Sequence, residues 1–511
     1  MSKPIIDWKK IEAKKFLKML RVQPEGFWVK RGEKMTLKLF NEMSRRVPAY
    51  RDFLKKNSID AGKIKTIADF KQVPAISKDS YLKKNDLQNL CWDGVFSDCQ
   101  WDISSTSGST GVPYYFPRQD DQNAQYALLA ELYLLNNFSI DRRTTLYVNC
   151  FALGVWIGGL FTYEALKMVS RRGGYSLSII NPGLNKSEIL KAIKQIGGNF
   201  DQVIIGGYPP FVKDVIDEGR VQGLNWSDFN IKFVFSAEGF SEDFRDYVSQ
   251  IVGSKNIYLD SLNHYGTVDQ GTLAHETPLT TMIRRLAIKD ERLYRAIFKE
   301  RVFHLPTLAQ YLPEMFFFEE DDGGVICSSQ SGLPLARYDL KDSGGVIGFH
   351  QMAEIFASCG YDFMGEINKA GIRTTLWSLP FVYVYERQDL SVSFSGANVY
   401  PETIKKVLIE SRFSDFLTGK FTMVIDHDNQ QNPSLVLNIE KKNGVTDLSS
   451  AVIDMLKQGV VDRLLMENSE YKIIYQTHRQ PGGAAPVIKL WEYDSAPYFS
   501  GGGKQKWVLK S

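Results

Sequence analysis

Residues 104–113, S-S-T-S-G-S-T-G-V-P, concentrate groups that bind oxyanions. Thr106, Ser107, Ser109 and Thr110 supply hydroxyls, and Gly108 and Gly111 let backbone N–H groups approach an anion closely. Such a loop can close around phosphate oxygens. It lacks the Gly-Lys-Ser/Thr ending of a P-loop, which excludes P-loop kinase and GTPase chemistry. A Ser/Gly-rich surface turn has the same composition, so the chemistry rests on the company the segment keeps. Ser236-Ala237-Glu238-Gly239, Asn263-His264-Tyr265-Gly266-Thr267-Val268-Asp269 and Arg337-Tyr338-Asp339-Leu340-Lys341-Asp342 follow it in order. Glu386-Arg387-Gln388-Asp389 and Gly501-Gly502-Gly503-Lys504 complete the series. Taken singly, Asp269 reads as a loop carboxylate, Arg387 and Asp389 as a surface ion pair, and Lys504 as a tail lysine beside Lys506 and Lys510.

The elements that must position these residues are legible from periodicity. The first hundred residues read as mostly helical, with Leu37, Phe40 and Met43 on one face and Pro48 marking a break. From about residue 144 strands and helices alternate. Strands are expected at 145–148, 203–205, 231–235 and 257–259, with a helix at 185–196 and another capped by Ser241. This alternation argues for an α/β domain with a largely parallel sheet, whose sites lie in loops beyond the strands' carboxyl ends. After about residue 390 the rhythm changes to an expected strand at 434–439, a helix at 447–465 and a strand at 471–476, a small α+β domain. No internal repeat is present.

A chain of 511 residues implies two or more domains, and 43% hydrophobic with 24% charged residues is an ordinary globular composition. A net charge of +3 gives no case for a nucleic-acid partner. Cys91, Cys99, Cys150, Cys327 and Cys359 form no metal-ligand spacing with the six histidines and read as free thiols of a reducing compartment. No signal-peptide core and no run of about 18 apolar residues is seen, so a cytoplasmic protein without a membrane span is expected.

In order and spacing, the polar segments resemble the adenylate-forming superfamily of acyl-CoA ligases and adenylation domains, over roughly residues 30 to 511 and nearest its phenylacetate–CoA ligase-like branch. The resemblance implies an α/β fold: a large N-terminal adenylating domain at 1–388 and a small mobile α+β lid at 389–511, hinged at Asp389. It implies ATP, Mg²⁺ and CoA as cofactors, and activation of a small-molecule carboxylic acid as acyl-adenylate before transfer to the thiol of CoA or a carrier protein. Thr106, Ser107, Gly108, Ser109, Thr110 and Gly111 would hold the β- and γ-phosphates. Ser236, Ala237 and Glu238 would wall the adenosine. Asn263 would read the adenine amino group and Tyr265 would stack on the ring, with Gly266 and Thr267 in the same motif. Asp342, with Arg387 nearby, would bind the ribose, Asp269 would ligate magnesium, and Lys504 would be the catalytic lysine.

The sequence departs from the pattern. No lysine follows Gly111, and Tyr-Gly-x-Ser/Thr-Glu appears as Tyr265-Gly266-Thr267-Val268-Asp269. The strand expected before Arg337 reads Gly324-Val325-Ile326-Cys327. Adenylation without CoA and a nucleotide-binding pseudoenzyme therefore stand beside the ligase reading. Residues 150–163, C-F-A-L-G-V-W-I-G-G-L-F-T-Y, match the superfamily's acyl-pocket helix region and carry no acid to pair with a substrate ammonium. Trp156, Phe161, Gly158 and Gly159 suit an aromatic or apolar acid, although a packed core helix would look similar.

Overall fold

A computed structural model describes residues 6–106, 113–299, 305–330, 332–387, 391–408, 410–413, 415–478 and 482–499, the side chains at 386, 387 and 402 excepted. The chain forms two compact units. The first comprises Met1–Ser105, Tyr115–Gly207 and Val215–Tyr385; the second comprises Thr106–Tyr114, Tyr208–Asp214 and Glu386–Ser511.

The first unit opens with amphipathic helices. Glu25–Arg46 buries Trp28, Leu39, Phe40 and Met43, and Pro48 starts the next helix, Pro48–Lys56. Proline's fixed φ suits a first helical turn, where its missing N–H costs no bond. A hairpin follows, β1 (Asp102–Ser105) against β2 (Tyr115–Arg118), and then a helix, Asp120–Phe138, buried along most of its length.

The main sheet is built from β3 (Thr145–Asn149), β4 (Leu177–Ile180), β5 (Gln202–Gly207), β6 (Ile231–Phe235), β7 (Ser261–Thr267), β8 (Gly271–His275), β9 (Thr307–Gln310), β10 (Phe316–Asp321), β11 (Gly324–Gln330), β12 (Pro334–Ile347) and β13 (Phe381–Arg387). Its order is β10-β11-β12-β13-β9-β8-β7-β6-β5-β3-β4. From β4 to β7 neighbouring strands run parallel. The strands β3, β5 and β6 are buried at every position, as continuous apolar runs covered on both faces should be. Beyond β7 the pairing to β8 turns antiparallel, so the change of sheet character falls on the Asn263–Asp269 motif.

The second unit holds a hairpin, β14 (Val392–Phe394) with β15 (Ala397–Val399), and a three-stranded sheet in the order β16 (Leu417–His427), β17 (Pro433–Lys441), β18 (Val487–Trp491). Helices Pro401–Leu408, Ser450–Glu467 and Ser469–Thr477 complete it. Its core gathers Phe394, Val407, Phe421, Leu437, Leu456 and Tyr471. The expected α/β class with a separate small α+β unit is what the chain forms. Among the described residues, no helix is long and apolar enough to cross a membrane.

Four local expectations are corrected. Residues 257–259 are a turn, not a strand, because the Asp260 carboxylate accepts from Ser254 Oγ and from the backbone N–H groups of Lys255 and Asn256. Residues 471–476 belong to a helix, which Asn468 caps by accepting from the Tyr471 N–H at 2.9 Å; a cap that satisfies an orphan donor outweighs β propensity here. The Asn263 and Arg337 motifs lie within β7 and β12 rather than in loops after strands. Only the second half of 150–163 is helical, since the helix begins at Ile157.

Candidate active site

The site residues of the first unit lie on two strands, β7 and β12, and in the turns that follow β6 and β7. Where β6 ends, Ser236-Ala237-Glu238-Gly239 turns sharply, with Ala237 at φ +78°. A left-handed alanine is disfavoured by about 1 kcal/mol, so the surrounding bonds must hold it there. Asn263, in the next strand of the sheet, supplies one of them: its Nδ2 donates to the Glu238 carbonyl at 2.9 Å. Asn263 is 1% exposed and its Oδ1 has no hydrogen-bond partner. A buried amide with its donor bound and its acceptor open is primed for an N–H donor of a ligand.

Two residues along β7, Tyr265 lies on the same face, since side chains alternate in a strand. Its hydroxyl donates to Asp342 Oδ2 at 2.5 Å, joining β7 to β12 across 77 positions of sequence. Both side chains are buried, 8% and 6% exposed. Gly266 follows at a bulge, where a Cβ would sit 2.6 Å from the Gly271 carbonyl oxygen, so only glycine closes this hairpin. Thr267 accepts from the Gln270 N–H at 3.2 Å, fixing the turn that carries Asp269. The Asp269 carboxylate is half-buried and accepts from the Tyr338 hydroxyl through Oδ2.

Sequence reasoning missed the frame beneath these residues. Glu276, just after β8, accepts from the Asn263 N–H at 2.9 Å, from Arg245 Nη2 at 2.9 Å and from Arg284 Nη1 at 2.5 Å. Arg284 Nη2 donates at 2.5 Å to the Phe240 carbonyl, and Arg245 Nη1 donates at 2.7 Å to Ser261 Oγ. Glu242 closes the cluster, bonding Arg245 Nε at 2.9 Å. Burial opposes the charge on Arg245, but Glu242 and Glu276 outweigh it and hold its pKa above the usual arginine range. The cluster ties the start of β7 to the end of the Ser236–Phe240 turn. Arg245 and Arg284 sit at ordinary polar positions of their helices, and no sequence pattern marks them as buried.

On the opposite face of β7, His264 packs against Tyr133, with ring centroids 5.0 Å apart, and His275 lies 5.4 Å from the same ring. Burial pushes the His264 pKa down to about 3 and that of His275 to about 4, so both are neutral core residues. In the helix Ile157–Gly173, Phe161 stacks on Tyr126 at 4.6 Å and lies against Gly271. Gly159 is required by packing, since a Cβ there would stand 2.4 Å from the Ala152 carbonyl oxygen.

Thr106 lies in the second unit, its N–H and Oγ1 bonded to the Tyr114 carbonyl and N–H at 3.0 and 3.1 Å. Ser107, Gly108, Ser109, Thr110, Gly111 and Lys504 lie outside the described residues, as does the Arg387 side chain. Among the described residues, no group of three His, Cys, Asp or Glu side chains could cage a metal. Magnesium needs no such cage, because it binds through one or two carboxylates, substrate phosphates and waters. The partly accessible Asp269, with one oxygen taken by Tyr338, fits that donor set.

No family model matches the sequence, and no curated protein matches it. Solved structures do match. The chain is 14% identical to 2-hydroxyisobutyryl-CoA ligase in complex with 2-HIB-AMP and CoA in the thioesterification state, with a TM-score of 0.64 over 96% of this chain and 91% of that one. The same ligase in its postadenylation state with R3-HIB-AMP gives a TM-score of 0.54 at 13% identity, covering 97% and 92%. Its open conformation gives 0.51 at 13% identity, covering 94% and 90%. The chain therefore has the fold of 2-hydroxyisobutyryl-CoA ligase.

Proposed function

We propose that this protein activates a carboxylic acid as its acyl-adenylate and transfers the acyl group to a thiol, with CoA as the acceptor. The observation that carries the reading is the Tyr265–Asp342 hydrogen bond together with the open Asn263 acceptor two residues away. It gathers, within one unit, residues suited to an adenine amino group, a purine face and a vicinal diol. In this reading Asn263 Oδ1 accepts from the adenine amine and Tyr265 lies along the ring. Asp342, an acceptor only when ionised, takes the ribose hydroxyls, a task that Arg387 is assigned to share. Ser236, Ala237 and Glu238 wall the nucleoside, while Gly266 and Thr267 hold the turn.

Residues Thr106 to Gly111 hold the β- and γ-phosphates. Asp269 would hold Mg²⁺, which when bound supplies positive charge to the triphosphate. A substrate carboxylate oxygen attacks the α-phosphorus, the bond to the bridging oxygen breaks, and pyrophosphate leaves. Lys504 neutralises the two anions as they meet. The CoA thiolate then attacks the acyl carbon and AMP departs with the bonding electrons. The proposed division is a body at 1–388 and a lid at 389–511 that turns about Asp389 between the half-reactions. Trp156 and Phe161, with no carboxylate among residues 150–163, favour an aromatic or apolar acid over an amino acid.

The test is pyrophosphate release from ATP and Mg²⁺ across aromatic and aliphatic acids, with and without CoA. Acid-dependent release with thioester formed from CoA supports the ligase. Release without thioester assigns adenylation alone, and ATP binding without release across the panel assigns a pseudoenzyme. Lys504→Ala is expected to abolish release while ATP binding persists.

A further inference from the structure

Four polar side chains meet in the interior of the first unit with no charge among them. Tyr126 and Tyr133 lie two turns apart on the helix Asp120–Phe138, and His264 packs against both, with ring centroids 6.3 and 5.0 Å away. Tyr147, from β3, approaches the same two tyrosines. Phe161, from the 150–163 segment, stacks on Tyr126 at 4.6 Å and adds an apolar wall. The Tyr126 hydroxyl keeps company with those of Thr162, Tyr133 and Thr272, at 3.5 Å from Thr162 Oγ1. Tyr147 Oη and His264 Nε2 have no hydrogen-bond partner, although Tyr147 is 0% and His264 5% exposed. Tyr147 pairs with Ile204 of β5, yet a Cβ on Gly206 would collide with its hydroxyl, so the side chain leans toward the carboxyl ends of the parallel strands. Sites in such sheets lie at that end. His264 stands between Asn263 and Tyr265 on β7, which joins the cluster to the candidate site through one strand.

A buried hydroxyl and a buried imidazole nitrogen without partners cost stability that phenylalanine at either position would recover. Burial keeps the Tyr147 phenol protonated and the His264 ring neutral. Among the described residues, no carboxylate, lysine or arginine acts on any of the four side chains. A second carboxylate or an ammonium brought here would therefore be buried without a counter-charge. A neutral hydroxyl suits the pair, because it can donate to one and accept from the other whichever imidazole tautomer is present. We propose that the acid this protein activates carries, besides its carboxylate, a hydroxyl that Tyr147 Oη and His264 Nε2 recognise within an aromatic-walled pocket. The inference rests on the acid-activation reading above and narrows its aromatic or apolar acids to hydroxylated ones.

The experiment measures pyrophosphate release from ATP and Mg²⁺ by the full chain with acids matched but for one hydroxyl. The pairs are benzoate with meta- and para-hydroxybenzoate, phenylacetate with para-hydroxyphenylacetate, and octanoate with its ω-hydroxy derivative. Tyr147→Phe and His264→Phe each remove one polar atom and keep a ring, and thermal melts accompany both. In at least one pair the wild type is expected to favour the hydroxylated acid about tenfold or more in kcat/KM, and each variant to cut that ratio about fivefold or more. Tyr147→Phe is expected to melt no lower than the wild type, since no hydrogen bond within the protein is lost. Equal or lower kcat/KM for the hydroxylated acid in every pair would overturn the proposal and leave the activation reading intact. So would a ratio that survives both substitutions, and a lower melting temperature for Tyr147→Phe would then assign its hydroxyl to the packing of the core. No acid-dependent release with any of these acids would overturn the activation reading itself, and the proposal with it.

Discussion

Glu276 offers a direct test of the frame under the candidate site. It is fully buried and accepts four hydrogen bonds, two from Arg245 Nη2 at 2.9 Å, one from Arg284 Nη1 at 2.5 Å and one from the Asn263 N–H at 2.9 Å. Glu276→Gln preserves volume and one acceptor but leaves two buried guanidinium groups facing Glu242 alone. Breaking a buried pair costs about 3–5 kcal/mol, and the retained acceptor places this change near the lower end, about 3 kcal/mol. Arg284→Met should cost a similar amount, since it removes one of the two guanidinium partners of Glu276 and the side-chain donor to the Phe240 carbonyl. The double variant restores one cation to one anion and should be destabilised by about 2 kcal/mol less than the sum. Denaturant unfolding gives the cycle, and hydrogen exchange across 261–267 gives the local effect, because one amide oxygen must then serve the Asn263 N–H and both guanidinium groups. Single-variant losses that add to within about 0.5 kcal/mol, with exchange at Asn263 unchanged, would refute the coupling.

Other outcomes follow from the same geometry. His264 and His275 have native pKa values pushed down to about 3 and about 4 by burial, against an ordinary value of 6.5, so the unfolded chain binds more protons between those values. Stability should be flat above pH 7 and fall as pH drops below 6.5, by about 2 kcal/mol per histidine at pH 5; equal denaturation midpoints at pH 7 and pH 5 would contradict this. Ala237 at φ +78° should tolerate glycine with little change, whereas Ala237→Val should cost more than about 1 kcal/mol; similar melting temperatures for both would remove the strain argument. Asp342→Asn should weaken ATP about tenfold to a hundredfold and abolish discrimination between ATP and 2′,3′-dideoxy-ATP; persistent discrimination would move diol recognition elsewhere.

The parallel core was readable because β3, β5 and β6 are short apolar runs bounded by turns, a pattern that long-range packing reinforces rather than overrides. Residues 257–259 and 471–476 misled for one reason: their β-rich composition is weaker than a single side chain, Asp260 or Asn468, that satisfies local backbone donors. Nothing in the sequence marks Arg245, Glu276 or Arg284 as buried, since periodicity separates apolar from polar faces but cannot say which charges are paired inside. The candidate site was legible as a set of motifs, but its geometry was not, because the Asn263 motif lies in a strand rather than a loop.

That difference has a mechanical consequence. Within β7 the pleat sends Asn263 and Tyr265 to one face, where they bond the Glu238 carbonyl and Asp342, and sends His264 to the other, against Tyr133. A loop would let these three side chains reorient independently. A strand couples them, so a one-residue slip would exchange a hydrogen-bonding face for an uncharged imidazole. The bulge at Gly266 then ends this regularity just where Asp269 must turn away from the sheet. The rigid half of the motif thus carries Asn263 and Tyr265, and the turn carries the Asp269 carboxylate, held by the Tyr338 hydroxyl.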